Sequence, residues 1–196
     1  MRYLLASKIV LLSNFIDVLG ILLISLVALI IQLVMHELPC PLCLLQRIGL
    51  MAIGFGYLLN IIYGNSIKNY SYSSFCAMIT AFIAMRQILL HIIPGTGSYG
   101  DAILGLHMYT WVFIICLATI IWNIFIITIY PENFHHGKLI KNIKLEKNII
   151  VNTVVYLFII TMAVNVVFTF LECGTTACPE DPSTYMVLDF IKHLKK

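Results

Sequence analysis

The sequence predicts an all-α protein, a polytopic membrane helix bundle. A four-helix core, a fifth transmembrane helix and a short interfacial C-terminal helix are expected. Three observations carry this expectation. Of 196 residues, 61% are hydrophobic and 11% charged, whereas soluble domains run at about 45–50% and about 25%. Five stretches, 9–35, 44–63, 75–93, 108–130 and 149–171, each supply the roughly 20 mostly apolar residues that a bilayer crossing takes. Lysine and arginine, finally, fall in alternate links between those stretches.

The first run starts at Ile9 and continues past Val34. It is too long for a signal-peptide core and lacks a small-residue cleavage site, so it reads as a retained helix. The second is broken only by Gly49, Gly54 and Gly56. Arg2, Lys8, Lys68, Lys138, Lys141, Lys144 and Lys147 lie on the side of the N-terminus, and links 36–43 and 94–107 hold no lysine or arginine. The positive-inside rule then makes the N-terminus cytoplasmic and places the tail, 172–196, outside. Lys192, Lys195 and Lys196 run against the rule, but far from the last span, where it is weak. Val187, Phe190, Ile191 and Leu194 share a helical face, a pattern that suits a helix lying on the membrane surface. The chain is expected to form one integral membrane domain over 1–196, with no nucleic-acid partner.

The stretch that organises the chain is Cys40-Pro41-Leu42-Cys43, followed by Gln46 and Arg47. A thiolate is the reactive form of cysteine, and helix N-termini and nearby cations favour it. Cys43 and Arg47 are four apart and share a face of a helix beginning near Leu42. The expected topology puts Cys40, Cys43, Cys173 and Cys178 on one outer side, where disulfides persist. Cys76 and Cys116 fall inside spans and read as small buried apolar residues. Two outer pairs allow two structural disulfides, a four-cysteine metal site or a relay between the pairs. A helical bundle has little need of structural disulfides, and structural zinc usually organises small domains. The C-P-x-C sequence and Arg47 favour the relay, in which a thiolate attacks a disulfide sulfur.

Other polar residues have bland and functional readings. Arg47 either snorkels to headgroups or serves the dithiol, and Gln46 beside it strengthens the second reading. Arg86 lies in an apolar run, where a charge marks a site by default, or else it pairs with Asp17. His107 reads as an interfacial residue. His91, at the height of the first cysteine pair, can meet the polar head of a lipid-soluble ligand. The run Gly95-Thr96-Gly97-Ser98-Tyr99-Gly100 is a loop without the strand and lysine of a phosphate-binding loop.

Cys40-Pro41-Leu42-Cys43 with Gln46-Arg47 at the head of the second span resembles the disulfide bond formation protein B (DsbB) family. The resemblance covers the first three spans. It implies a four-helix core, a quinone (ubiquinone or menaquinone) beside the first dithiol, and a periplasmic DsbA-like thioredoxin-fold oxidase as partner. It also implies that Arg47 helps to hold the quinone. Better-known members carry their second cysteine pair between the third and fourth spans. Here that link has none and the pair follows a fifth span, as in the five-helix DsbB-like branch.

The function expected is a quinone-dependent thiol oxidase of the bacterial inner membrane, active on its periplasmic face. Electrons pass from the partner to Cys173/Cys178, then to Cys40/Cys43, then to the respiratory quinone pool. Gln46, Arg47 and His91 are the expected quinone contacts, and no resident metal is expected. The enzymic rival is a quinone reductase of the vitamin K epoxide reductase type, whose active dithiol belongs to a late helix. From another class comes a metal-binding or transport protein using the four outer cysteines as ligands.

Overall fold

The structure is a computed structural model, and it describes residues 2–34, 38–92, 102–131, 149–174, 178 and 184–187, with side chains from residue 8 onward. Five helices make up the fold: α1 (Arg2–Val34), α2 (Pro41–Tyr63), α3 (Ile67–Leu90), α4 (Met108–Ile129) and α5 (Ile149–Cys173). All five are long and apolar enough to cross a membrane, and among the described residues there is no strand beyond the single bridge Ile103–Leu106. This is the expected all-α membrane bundle. Of the expected surface helix at 183–196 only residues 184–187 are described, and the glycine loop at 95–100 lies outside the described residues.

Each start has a local cause. Pro41 occupies the first turn of α2, where a missing N–H costs nothing, and Ser66 caps α3 by accepting from the Lys68 amide at 3.3 Å. The third helix begins at Ile67, eight residues before the expected span. Its first turns carry Asn69, Tyr70 and Ser73, which lower hydropathy but are spent on contacts between helices. Ser73 Oγ, for example, donates to the Ile53 carbonyl at 2.9 Å.

The central helix is α2, which packs on α1, α3, α4 and α5, while α3 lies between α2 and α4. Small residues let α2 and α3 approach closely: a Cβ on Gly49 would collide with Thr80, and one on Gly56 with Ser73 and the Asn69 backbone. Against α1 and α2, α5 packs more sparsely than α2 packs on α1 and α3, or α3 on α4. A four-helix core with an added fifth helix describes this arrangement. The outward faces carry Leu12, Ile16, Leu23, Phe82, Ile121, Ile159 and other exposed apolar side chains, as a lipid-facing surface does.

At the end of the bundle where α2 finishes and α3 begins, the helices are joined by amides rather than by apolar packing alone. Asn14 Nδ2 donates to Asn65 Oδ1 at 2.8 Å, and Asn14 Oδ1 accepts from Asn60 Nδ2 at 3.2 Å and Tyr70 OH at 2.9 Å. Tyr57 OH donates to Asn123 Oδ1 at 2.7 Å, and Asn123 Nδ2 reaches Ser74 Oγ at 2.9 Å, which brings in α4. Away from water a polar group must find its partner inside the protein. These bonds therefore fix the rotation of each helix as well as its position. Interhelical hydrogen bonds in membrane proteins contribute about 0.6 kcal/mol each on average. With three of them lost, Asn14→Leu is expected to destabilise the bundle by about 2 kcal/mol. A lowered midpoint of unfolding in sodium dodecyl sulfate is the measurement.

Candidate functional site

The start of α2 creates the site. Cys40 is the N-cap, with extended backbone (φ −66°, ψ 159°), and its sulfur accepts from the Cys43 amide at 3.1 Å. The two cysteines form a disulfide with Cα atoms 5.0 Å apart. Cys40 is buried and Cys43 half-buried. Helix N-termini favour negative charge within their first turn, so a thiolate released here sits in a favourable field.

From α3 comes a residue that the sequence did not single out. Gln87 is fully buried, and its Nε2 lies 3.2 Å from Cys40 Sγ and 3.3 Å from Cys43 Sγ. Its Oε1 accepts from Gln46 Nε2 at 2.7 Å. Because an amide has one acceptor end and one donor end, the bond to Gln46 turns the Gln87 donors toward the sulfurs. Gln46 is thus committed to Gln87 and acts on the dithiol through it. The available signal was a glutamine inside an apolar run, four residues before His91 and on its face.

Arg47 points elsewhere than the shared face with Cys43 suggests. Its guanidinium donates to Gln32 Oε1 at 2.6 Å and to the Ala28 carbonyl at 3.1 Å, both on α1. It also interacts electrostatically with Glu172 and Tyr185. Gln32 Nε2 reaches Tyr185 OH at 3.4 Å, and the Tyr185 ring lies 6.3 Å from that of Phe168. Arg47 therefore links the head of α2 to the end of α1, the end of α5 and the tail.

The second pair closes the end of α5. Cys173 and Cys178 form a disulfide with Cα atoms 4.5 Å apart; Cys173 is buried and Cys178 half-buried. Glu172, 1% exposed, stands beside Cys173, and its Oε2 has no hydrogen-bond partner among the described residues. The interaction of Glu172 with Arg47 places both disulfides at the same end of the bundle.

The remaining candidates fall outside this junction. His91 caps the end of α3, its amide donating to the Ile88 carbonyl at 3.2 Å. Its ring lies 5.7 Å from Tyr109, on whose other contact His107 stacks at 5.4 Å. Arg86 is exposed on the outside of α3. Asp17 accepts instead from Ser13, at 3.3 Å on its own helix, so the Arg86–Asp17 pair does not form. Cys116 is fully buried and Cys76 half-buried, both with free thiols. Among the described residues no group of three or more His, Cys, Asp or Glu could hold a metal ion, so the four outer cysteines do not gather as a cage.

Gln87 should tune the first disulfide. A hydrogen bond to a charged group contributes about 1.5–3 kcal/mol, and it acts on the thiolate more than on the disulfide. In a two-electron couple this is about 30–65 mV. Gln87→Leu is therefore expected to lower the Cys40–Cys43 reduction potential by that amount, read by titration against dithiothreitol. Gln46→Leu, which only frees the Gln87 amide to turn, should lower it by less.

Comparison with known proteins agrees with the first half of this site. Residues 12–98 match the family model described as Disulfide bond formation protein DsbB, a span that includes Cys40, Cys43, Gln46, Arg47, Gln87 and His91 but under half of the chain. No curated protein and no solved structure matches.

Proposed function

We propose, from the match of residues 12–98 to the DsbB family model, that the protein is a quinone-dependent thiol oxidase serving a DsbA-like thioredoxin-fold partner. The observation that carries this reading is the placing of two cysteine disulfides at one end of the bundle, each near one member of the interacting Arg47 and Glu172. Cys178, the more exposed sulfur, is the one open to a partner thiolate. Cys173, buried beside Glu172, is the one that turns inward to Cys40–Cys43. On the proposed path, two electrons enter at Cys178 and pass from the second pair to the first by thiol–disulfide exchange. The periplasmic face of a bacterial inner membrane supplies the oxidising compartment in which such pairs work.

A quinone fits the residues at the head of α2. Its carbonyls need donors and its ring needs an apolar or aromatic wall. Two guanidinium N–H groups of Arg47 are held by Gln32 and Ala28, and the planar fork carries others. The His91–Tyr109–His107 stack supplies ring faces at the outer end of α3 and α4. When bound, the quinone supplies a two-electron acceptor for the Cys40–Cys43 dithiol. Cys40 and Cys43 then carry the electrons, Gln87 steadies the sulfur that bears charge, and Arg47 orients and holds an electron-rich head.

Three measurements test the reading. Detergent-purified protein mixed with a reduced thioredoxin-fold dithiol oxidase should bleach quinone absorbance, and Cys43→Ser should abolish the bleaching while the protein still inserts. Arg47→Lys keeps the charge but loses the fork; about 1 kcal/mol of lost hydrogen bonding raises the quinone KM about fivefold. Normal turnover in Cys43→Ser would remove the first pair from the path. In spheroplasts, a membrane-impermeant thiol reagent applied after reduction should label Cys40, Cys43, Cys173 and Cys178 and spare Cys116. A second pair that stays unlabelled would break the relay, because exchange cannot cross the bilayer.

A further inference from the structure

We propose that the turn Ile103–Leu106 is a lipid anchor: its apolar side chains, with Leu104 at the tip, sit in the headgroup–acyl boundary of the bilayer and hold the link before α4 against the membrane. This anchor is independent of the relay proposed above.

Ile103 and Leu106 exchange both backbone hydrogen bonds, at 2.9 and 3.1 Å, and enclose Leu104 and Gly105. The two central residues have φ of 53° and 80°, the left-handed backbone that type I′ turns require and that asparagine and glycine favour. For a bulky leucine this conformation is strained, and among the described residues no other non-glycine residue has positive φ. The strained side chain is also the most exposed large apolar one among them, at 87%. Ile103 and Leu106 on either side are exposed as well, and residues 102–106 carry no polar side chain. In water an Asn-Gly pair would suit this turn better, both in backbone and in solvation. A leucine held there against both preferences points to an apolar environment at the tip.

The turn is also tied to a membrane span. Trp111 Nε1 donates to the Ile103 carbonyl at 3.0 Å, and Trp111 closes the first turn of α4. That helix has 22 residues, which is about 33 Å, against a hydrocarbon core of about 30 Å. Its first turn therefore lies at the interface, where tryptophan is favoured. Trp111, Ile114, Leu117 and Ile121 are spaced three or four apart and run along one side of α4, and the last three are exposed. The lipid-facing surface of the bundle thus continues along α4 up to the turn. Because Ile103 and Leu106 satisfy each other's N–H and C=O groups, the base of the turn can leave water without losing hydrogen bonds. The next residue, His107, is the N-cap of α4 and makes no side-chain capping bond. An anchor directly before it holds the start of α4, and with it the Tyr109 ring on which His107 stacks.

The test uses the full-length protein in vesicles of phosphatidylethanolamine and phosphatidylglycerol. Leu104→Cys is labelled with a nitroxide in a Cys76→Ser, Cys116→Ser background whose four outer cysteines stay oxidised. Power-saturation electron paramagnetic resonance should find the label more accessible to oxygen, which concentrates in lipid, than to a water-soluble nickel chelate. A second measurement uses Trp122→Phe, which leaves Trp111 as the one tryptophan of the chain. Adding Leu104→Asn suits the positive φ but not the lipid, so Trp111 should lose its protection from iodide quenching and its emission should shift to the red. A turn held only by its own hydrogen bonds predicts the opposite, with Trp111 protected at least as well as beside leucine, and that result would overturn the anchor. A label that favours the nickel chelate would also overturn it; if a reduced thioredoxin-fold oxidase then immobilises that label, the tip serves a protein partner instead. The tryptophan measurement keeps every cysteine, and it carries the test if the labelled variant does not fold by circular dichroism.

Discussion

Everything at the disulfide end of the bundle depends on how α2 begins. Cys40 ends its chain segment in an extended conformation, Pro41 opens the helix, and the Cys43 amide turns back to the Cys40 sulfur. With the helix started there, successive residues diverge by about 100° around its axis. Gln46 then faces α3 and Arg47 faces α1 and α5. A rotation of α2 by one residue would turn Gln46 away from Gln87 and break the bond that orients it. The dithiol, the amide that orients it and the cation that joins it to α5 all follow from one capping geometry.

The lipid environment explains why so few polar residues decide the arrangement. In the bilayer, apolar burial gives little preference between one helix rotation and another, since lipid tails are as apolar as leucine. Polar groups do discriminate, because each must find a partner inside the protein. The asparagine and tyrosine bonds between α1, α2, α3 and α4 lock one end. Gln46–Gln87 and Arg47–Gln32 lock the other. The central α2 contributes to both locks.

What was legible in the sequence divides along the same line. Hydropathy locates five helices because length and composition suffice, and Cys40, Cys43, Cys173 and Cys178 declare themselves by pairing at helix ends. Helix rotation is another matter. Cys43 and Arg47 share a face by spacing, yet the long Arg47 side chain reaches α1, and only the packed bundle shows which neighbour satisfies it. Gln87 was hidden by Arg86 beside it: the charge draws attention, whereas the neutral amide, one position around the helix, is the buried one. Glu172 was hidden by its place at the first position after the last apolar span, where the tail begins. The early start of α3 was missed because Asn69, Tyr70 and Ser73 depress hydropathy, and their use between helices cannot be read from one helix alone.

The separation of the two locks also bears on the thiols that stay out of the exchange. Cys76 lies on the same helix as Gln87, eleven positions earlier, which is roughly 16 Å along the axis. Thiol–disulfide exchange needs a thiolate in contact with a disulfide sulfur, so Cys76 cannot compete for the first pair without unwinding α3. Cys116 is fully buried in α4, and in apolar surroundings a thiol is inert. Distance keeps Cys76, and burial keeps Cys116, away from the two disulfides. Among the described residues α5 packs on α1 and α2 more sparsely than α2 packs on α1 and α3, and its end carries the second disulfide. The relay proposed above would draw on this difference, with the first pair held by Gln87 and the second at the end of the more sparsely packed helix.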